Sequence, residues 1–409
     1  MSSKDGTNHI LVVSQYFHPE NFRVNDMCLE WVNRGYRVSV ITGIPNYPEG
    51  RFYPGYGFFK KRHEVWKGID IYRLFLFPRG KSKIGLALNY FSFMISGMLA
   101  GKVKRIRPDV VFSFEVSPMT QVLTGVSFSR KHHIPHLLYV QDLWPENVIA
   151  VMGIGNGLII DCINRMVDHI YKNTDEIFVT SPSFAKAITE RKVKVPQEKV
   201  HYWPQYSEGL YKPADRSEAL KTASGFGIED DGYFKVIFTG NVGTAQGLEV
   251  LPKTAALLKD KNIRFVIVGD GRYMDEFRRQ IQTYNVPDMF ILVPRQPASI
   301  IPSLLCACNA AFVSFADNEL WNKTIPAKLQ SYMACGMPVV ASAGGETARI
   351  ISESGCGICC ETGNEKALAE GVLQIMKEDL EEMGNKSLDY CRKHFDKKTL
   401  MDVMDGYLK

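Results

Sequence analysis

The sequence lacks the cysteine pattern of a disulfide framework or a zinc site. Its nine cysteines are scattered and odd in number, and no CxxC pair is combined with an HxxxH pair at the spacing of a zinc site. The CxxC formed by Cys356 and Cys359 falls among small residues that we interpret as the edge of a strand, where buried cysteine is common. We therefore expect reduced thiols, a cytoplasmic protein and no bound metal. The polar start MSSKDGTNH also lacks the features of a signal peptide.

A dinucleotide fingerprint is missing as well. The predicted strand Val236–Thr239 leads into a loop whose glycines, Gly240, Gly243 and Gly247, do not satisfy GxGxxG. Neither this strand nor the one ending at Val268 is followed by the acidic residue that binds the ribose of a nicotinamide cofactor. The pattern argues against a dehydrogenase. The loop glycines nevertheless allow backbone N–H groups to face a phosphate.

Apolar segments alternate with helical ones along the whole chain, which predicts two doubly wound parallel sheets. The length of 409 residues also favours two domains. A turn-rich stretch near residue 205 separates the two sets of strands, and the ligand site is expected in the cleft between two Rossmann-like domains. The predicted domains are 1–205, with a final helix at 395–409 that returns to it, and 206–394. The predicted strands are Ile10–Val13, Val38–Ile41, Asp70–Leu74, Val110–Ser113, His136–Val140, Glu176–Thr180, Lys235–Phe238, Arg264–Val268, Met289–Val293, Ala310–Ser314 and Pro338–Ala341.

Charge is divided unevenly between the two halves. Residues 1–202 carry a net charge of +9, and residues 203–409 carry −4. The basic half contains an uncharged apolar segment, Ile84–Gly101, interrupted by Asn89. Its basic flanks are Arg79, Lys81, Lys83, Lys102, Lys104, Arg105 and Arg107.

We interpret Ile84–Gly101 as a helix packed on the sheet, with its basic flanks at an anionic membrane surface. The alternative is a buried helix with no membrane role. A spanning helix is disfavoured because a strand of the same domain follows directly at Val110. Phe58–Arg62 and Trp66–Lys67 combine aromatic and basic residues, which suits a headgroup layer.

The segment Trp321–Gly345 predicts a loop, a short helix, a turn, a buried strand and a glycine turn. Pro326 fits the first helical turn, and the helix is expected to continue from Lys328 to Ala334. Free backbone donors at the start of that helix, together with the Lys328 ammonium, would bind a diphosphate. The alternative is an ordinary α/β connection with a solvated lysine.

Acidic and basic side chains follow strands of the first domain, at the edge where α/β proteins bind ligands. Asp142 and Glu115 are the candidate catalytic carboxylates, and Asp142 could instead cap the next helix. His18, Glu20 and Arg23 follow the first strand and are acceptor-side candidates.

The order of these motifs resembles the GT-B glycosyltransferases of family 4. The resemblance is carried in the second half by FTGNVGTAQGLEVL, FVIVGDG and TIPAKLQSYMACGMPVVASAGG. In the first half, YFHPE, RGYRVSVITGIPNYPEG, RPDVVFSFEVSP and YVQDLWPE resemble the branch of bacterial O-antigen and capsule N-acetylfucosaminyl transferases. The resemblance implies a GT-B fold and a retaining, metal-independent transferase that uses a nucleotide-diphosphate sugar.

The chain departs from the family pattern at residues that usually bind the donor. Ser331 and Lys323 stand where many members carry two glutamates, and Asn241 and Gln246 stand where the glycine loop usually has arginine and lysine. In the branch named above, Lys328 would be the main cation on the diphosphate. The predicted donor-binding residues are Asn241, Gly243, Gln246, Arg295, Thr324, Lys328, Gln330 and Ser331.

Together these patterns predict a transferase that moves a sugar, most simply an N-acetylamino sugar, from a UDP-sugar to a polyprenyl-diphosphate-linked glycan. It would lie peripherally at the inner face of a bacterial plasma membrane and need no cofactor, metal or nucleic acid. Two alternatives are a sugar-nucleotide epimerase of the same fold and a non-catalytic membrane-associated binding module. Turnover of donor with and without a lipid acceptor would separate the three.

Overall fold

The computed structural model describes residues 8–80, 82–99 and 106–408. The chain forms two compact units. Unit 1 comprises Met1–Trp203 and Val403–Lys409, and unit 2 comprises Pro204–Asp402. The sequence had placed the division near residue 205 and returned residues 395–409 to the first domain.

Unit 1 is built on an eight-stranded sheet. Its strands are β1 (His9–Val13), β2 (Arg37–Gly43), β3 (His63–Trp66), β4 (Ile69–Leu74), β5 (Val110–Glu115), β6 (His136–Val140), β7 (Glu176–Val179) and β8 (Val200–Tyr202). Its helices are α1 (Arg23–Asn33), α2 (Lys83–Leu99), α3 (Val122–His132), α4 (Glu146–Met152), α5 (Gly157–Lys172) and α6 (Pro182–Thr189).

The strand order in unit 1 is β3-β4-β2-β1-β5-β6-β7-β8, and every pair except the antiparallel β3–β4 hairpin is parallel. β1, β5 and β6 are buried along their whole length, because helices cover both faces of a parallel sheet. The chain reverses its direction of progress across the sheet between β1 and β5. This is the switch point at which doubly wound sheets bind ligands, outside the carboxyl ends of the strands.

Unit 2 is built on a six-stranded parallel sheet of order β11-β10-β9-β12-β13-β14. Its strands are β9 (Phe234–Thr239), β10 (Ile263–Val268), β11 (Phe290–Val293), β12 (Ala310–Ser314), β13 (Val339–Ser342) and β14 (Gly357–Cys360). Its helices are α7 (Arg216–Ser224), α8 (Val250–Leu257), α9 (Met274–Thr283), α10 (Ile301–Cys306), α11 (Glu319–Asn322), α12 (Ala327–Ala334), α13 (Gly345–Ser354), α14 (Glu365–Ile375) and α15 (Leu380–His394). This order is that of a dinucleotide-binding sheet, with its switch point between β9 and β12.

The last helix, α16 (Lys397–Leu408), begins in unit 2 and ends in unit 1. In unit 1 the Leu408 carbonyl accepts a hydrogen bond from Asn8, and Asp405 forms an ion pair with Arg34 at 2.8 Å. These contacts attach the end of the chain to the residue before β1 and the residue after α1.

Two strands were not predicted from the sequence, and a third was expected only as a strand edge. β3 was not predicted, because His63–Trp66 is an exposed edge strand with little apolar patterning. β8 was also missed, since it has only three residues. β14 lies where the cysteine-rich strand edge was expected.

The helix α2 has both buried side chains and exposed apolar side chains. Asn89, Tyr90, Phe93 and Gly97 are buried, and a Cβ at Gly97 would meet Thr124 Oγ1 at 1.9 Å, so α2 packs closely on α3. Other apolar side chains of α2 are exposed. The residues more than half exposed are Ile84, Leu88, Phe91, Ile95 and Leu99.

The predicted flanking residues Lys81, Gly101, Lys102, Lys104 and Arg105 lie outside the described residues. Over the part of the chain that the structure describes, every helix falls short of the length and apolarity that a bilayer-crossing segment needs.

Candidate active site

Glycine backbone from two loops meets at the switch point of unit 2. Gly240 follows β9 with φ of 126°, and Gly269 follows β10 with φ of 147°. A Cβ at Gly269 would lie 1.9 Å from the Gly240 carbonyl oxygen, and a Cβ at Gly240 would lie 3.1 Å from Lys328 Cε. Side chains are therefore excluded here, and the backbone approaches Lys328 closely.

The Lys328 ammonium lies at this glycine junction. Its Nζ donates a hydrogen bond to Gln246 Oε1 and lies 4.0 Å from the centre of the Phe238 ring. Burial lowers the pKa of Lys328 to about 7. The fold thus holds a lysine at a site that favours its neutral form, and an anionic ligand would restore its charge.

Hydrogen bonds with β12 and α12 hold the end of β9 and the loop that carries Gln246. Ser314, the last residue of β12, donates its hydroxyl to the Gln246 carbonyl at 2.5 Å. Tyr332 on α12 places its hydroxyl 2.8 Å from the Thr239 amide nitrogen. The loop after β9, the end of β12 and α12 are therefore joined around the switch point.

The helix α12 starts just after Pro326, which the sequence had placed in the first helical turn. Pro326 is the residue before the helix, with extended φ and ψ of −72° and 130°, and Ala327 is the first helical residue. Lys328 is then in the first turn, one helical turn before Tyr332. The free N–H groups of a helix start and a lysine side chain are thus brought together, which is the combination expected for a phosphate site.

The other predicted donor residues have varied environments. Thr324 donates its hydroxyl to the Leu320 carbonyl at 2.9 Å, and Ser331 donates to the Ala327 carbonyl at 3.1 Å. Asn241 lies against Gly243, where a Cβ would meet the Asn241 amide nitrogen at 2.7 Å. Arg295 is exposed after β11.

Gln330 is a correction to the predicted donor set. Its side chain is 1% exposed, and its Nε2 donates to the Gln205 carbonyl at 2.7 Å. A buried amide that faces the backbone of another segment of unit 2 cannot contact a ligand directly. Gln330 instead fixes the position of the chain that enters unit 2.

In unit 1, buried polar side chains connect the loops at the carboxyl ends of the strands. Glu20 accepts hydrogen bonds from the amides of Asn46 and Tyr47 at 2.7 Å each, and burial raises its pKa to about 7. Gln15 donates its backbone N–H to Gln121 Oε1 at 2.6 Å and its side-chain amide to Asn89 at 2.7 Å. The loops after β1 and β2 are therefore tied to each other and to α2 and α3.

Glu20 was predicted to lie on the acceptor side, but its side chain is buried and its role is to hold two loops together. His18 stacks on Trp66 with ring centres 4.1 Å apart, and its carbonyl accepts a hydrogen bond from the buried Arg73. Burial lowers the pKa of the partly buried His18 imidazole. Arg23 begins α1 and is partly buried.

The two candidate carboxylates, Glu115 and Asp142, are adjacent and differ in exposure. Glu115 is fully buried, and its Oε2 accepts from the amides of Gln141 and Asp142 at 3.2 Å each. Burial raises the pKa of Glu115 well above its usual value. A fully buried acid that receives both amides of the next turn orients that turn and cannot touch a substrate.

Asp142 is partly exposed as a residue, whereas Glu115 is not exposed at all. It accepts the Ser117 amide at 2.7 Å, and the Ser117 hydroxyl accepts from Trp144 Nε1 at 3.1 Å. Burial raises the pKa of the Asp142 carboxyl. Of the two carboxylates, Asp142 is the one positioned to meet an acceptor.

Several residues that hold these sites were not identified from the sequence. They are Phe238, Ser314, Tyr332, Asn46, Ser117 and Gln121. Phe238 and Ser314 are recognisable in retrospect because each lies at the end of a strand at a switch point. Among the residues that the structure describes, no three His, Cys, Asp or Glu side chains are grouped so that they could hold a metal ion.

Both halves of the chain match family models of glycosyltransferases. Residues 21–205 match the model described as glycosyl transferase 4-like domain, and residues 224–393 match the model described as glycosyl transferases group 1. The chain is a glycosyltransferase with the GT-B fold. It belongs to the family 4 glycosyltransferases, as its motifs predicted.

Three known proteins illustrate the similarity. The probable glycosyltransferase WbjE of Pseudomonas aeruginosa is 26% identical over 76% of this chain and 77% of its own. The putative colanic acid biosynthesis glycosyl transferase WcaI of Escherichia coli K12 is 23% identical over 91% of this chain and 92% of its own. The structure of Anabaena HepE in complex with UDP and glucose superposes with a TM-score of 0.71, at 15% identity, over 98% of this chain and 99% of that one.

Proposed function

We propose that this glycosyltransferase transfers a sugar from a UDP-sugar to a polyprenyl-diphosphate-linked glycan during assembly of a surface polysaccharide, with retention at the anomeric carbon. The sugar is proposed to be an N-acetylamino sugar, as in the N-acetylfucosaminyl transferases that the first half resembles. The name of WcaI refers to colanic acid biosynthesis, and HepE binds UDP and glucose. The first supports a surface-polysaccharide product, and the second supports a UDP-linked donor.

The single observation that carries the proposal is the position of Lys328. Its ammonium lies beside glycine backbone, on the Phe238 ring and in the first turn of α12. A departing UDP gains negative charge, and a cation with a helix start stabilises that charge most where water is excluded. Lys328 is proposed to contact the diphosphate and to be protonated when the donor binds.

Asp142 is proposed to accept a hydrogen bond from the acceptor hydroxyl and so to align the attacking oxygen. Its raised pKa brings a carboxylate closer to the range in which it can also take a proton. Glu115 keeps the turn of Asp142 in place through the two amides that it accepts. We assign no step to a metal ion.

The enzyme is proposed to bind peripherally to an anionic membrane through unit 1. The exposed apolar residues of α2 and exposed basic side chains such as Lys60 and Lys83 support this placement. In the β3–β4 region, however, Phe58 stacks on Phe75 at 4.8 Å and Trp66 stacks on His18, so only part of the predicted aromatic surface faces outward. Phe59 is 97% exposed.

A thermal-shift screen of nucleotide sugars tests the donor assignment. A ligand that binds the folded state alone raises the unfolding midpoint, and a UDP-linked N-acetyl sugar is expected to give the largest rise. Lys328→Ala should remove most of that rise, whereas Lys323→Ala should remove less of it. Equal shifts from UDP-, GDP- and ADP-sugars would overturn the proposed base preference. Turnover that does not depend on a lipid-linked acceptor would overturn the acceptor.

A further inference from the structure

Unit 1 contains an apolar cavity of about 470 Å³ between α2, α4 and α5. Leu86, Phe91, Val148, Ile163 and Met166 are among the side chains that line it. On α2 the lining residues recur at the spacing of one helical face, so the cavity follows about two turns of that helix. Its outer end reaches the surface at Leu158, which is 79% exposed.

Two polar features distinguish this cavity from a simple packing defect. Lys83 lines it and is exposed, which places a positive charge at the rim of an apolar space. Thr120 also lines it, and its buried hydroxyl has no hydrogen-bond partner among the described groups. An unsatisfied buried hydroxyl is costly and marks a place where a polar ligand group would be accepted.

Two lining residues, Trp144 and Tyr90, lie near the acceptor carboxylate. Trp144 lines the cavity and donates to the Ser117 hydroxyl, while the Ser117 amide donates to Asp142. Tyr90 also lines the cavity and is close enough to both Asp142 and Arg79 for their charges to act on the pKa of its phenol. The apolar space therefore leads from the surface to a point where a carboxylate and a cation are both near.

We infer that this cavity binds the isoprenoid chain of the lipid-linked acceptor, with the diphosphate next to the chain held by Lys83 and Arg79 and the sugar directed toward Asp142. This inference rests on the proposed function and adds a binding site for the lipid part of the substrate. An anionic group on a long apolar chain matches the charge at the rim and the apolar walls.

Farnesyl diphosphate is a soluble probe of this site, and inorganic diphosphate is its matched control without the chain. Cys162 reports occupancy, because its thiol lines the cavity and is exposed. Saturating farnesyl diphosphate should slow alkylation of Cys162 by a maleimide at least about tenfold, since the chain fills the apolar space. Inorganic diphosphate should leave the rate unchanged, and Cys162→Ser identifies the reporting thiol.

Two tryptophan variants on α2 sharpen the test. Ala87→Trp fills the cavity, because Ala87 lines it, whereas Leu88→Trp adds the same ring at an exposed neighbouring position outside the lining. Ala87→Trp should weaken farnesyl diphosphate binding at least about tenfold, and Leu88→Trp should change it less than about twofold. Thr120→Val should also weaken binding without lowering the unfolding midpoint, because it removes an unsatisfied buried hydroxyl.

Three results would overturn the inference. They are equal protection of Cys162 by inorganic diphosphate, equal affinity of wild type and Ala87→Trp, and protection by phosphatidylglycerol vesicles equal to that by farnesyl diphosphate. The last result would show that the residues around the cavity contact the bilayer and do not bind an individual lipid-linked acceptor. UDP-sugar binding does not depend on the cavity, so a protein that binds donor but not farnesyl diphosphate disproves this inference, and one that binds no UDP-sugar disproves the proposed function.

Discussion

At the carboxyl ends of their strands, unit 1 presents a network of buried polar side chains, whereas unit 2 presents glycine backbone and a partly buried lysine. In unit 1, Glu20 and Glu115 each accept two or more backbone amides and fix the loops around Asp142. In unit 2, Gly240 and Gly269 remove side chains so that backbone lies next to Lys328. One sheet edge is thus built to fix a carboxylate, and the other is built to receive an anion.

This difference shows how one sheet topology supports two tasks. Both edges lie at a switch point, so topology alone supplies the place for a ligand. A diphosphate is recognised by backbone N–H groups and positive charge, for which glycine and lysine suffice. A glycan hydroxyl needs a positioned acceptor oxygen, which requires side chains whose own partners are already satisfied.

The largest effect is expected from Asp142→Asn. If Asp142 aligns the attacking hydroxyl, turnover should fall about 10²-fold or more, the scale of general acid–base catalysis. Donor affinity should not change, because Asp142 belongs to unit 1. Steady-state kinetics with a lipid-linked acceptor and a separate donor titration measure the two quantities.

Glu115→Gln is the matched control for that prediction. Glutamine keeps the shape of Glu115 and an oxygen that can accept the amides of Gln141 and Asp142, so turnover should stay within about threefold of wild type. A large loss at Glu115 with a near-normal rate at Asp142 would reverse the two roles.

Lys328→Ala is expected to weaken UDP-sugar binding by about 1.5 to 3 kcal/mol, the range of a lost charged hydrogen bond. Calorimetric titration measures the change directly. Lys323→Ala, in the loop before α12, should give a smaller loss. Unchanged affinity in Lys328→Ala would remove the lysine from the donor site and with it the contrast between the two sheet edges.

Glu20 gives unit 1 a pH dependence that can be isolated. Its folded-state pKa of about 7 is above the value in an unfolded chain, so its contribution to stability is fully present at low pH and is lost as pH rises through 7. Near its steepest, the fall in the free energy of unfolding is up to about 1.4 kcal/mol per pH unit.

Glu20→Gln should flatten this part of the profile. Calorimetric unfolding midpoints of wild type and variant are measured between pH 5 and pH 8. The difference between the two midpoints at each pH isolates Glu20, because Glu115 and Asp142 contribute equally to both proteins. A difference that does not change with pH would show that Glu20 is ionised throughout.

Membrane attachment should give the smallest effects per residue. Neutralising Lys60 or Lys83 should weaken binding to anionic vesicles by about 1 kcal/mol each, and binding should decrease as salt shortens the Debye length below about 10 Å. Arg62 is a poor choice for this test, because its guanidinium donates to the carbonyls of Arg73 and Phe58. Retention in high salt with release by detergent would favour insertion of α2.

The fold was largely predictable because parallel strands buried on both faces appear in the sequence as continuous apolar runs. Edge strands such as β3 lack that signal. Lys328 and Asp142 were found from their places after predicted turns and strands. Gln330 and Glu20 were wrongly assigned to ligand contact, because polar type and position in the sequence do not show whether a side chain faces solvent or the backbone of another loop.

The unpredicted parts of the site depend on contacts between distant segments. Phe238 under Lys328 and Ser314 under the Gln246 loop become neighbours only when the sheet forms. The cavity beside α2 is similar, because α2, α4 and α5 each have an ordinary amphipathic pattern and enclose the space only together.

The central claim is that the lysine at the unit 2 edge becomes charged when the donor diphosphate binds. It is tested most directly by the affinity for a UDP-sugar as a function of pH. With a free pKa of about 7 for Lys328, affinity should fall up to about tenfold per unit between pH 7.5 and 8.5, with uptake of a proton on binding. Lys328→Gln should have a flat profile. A wild-type affinity that is constant over this range, with no proton uptake, would contradict the account.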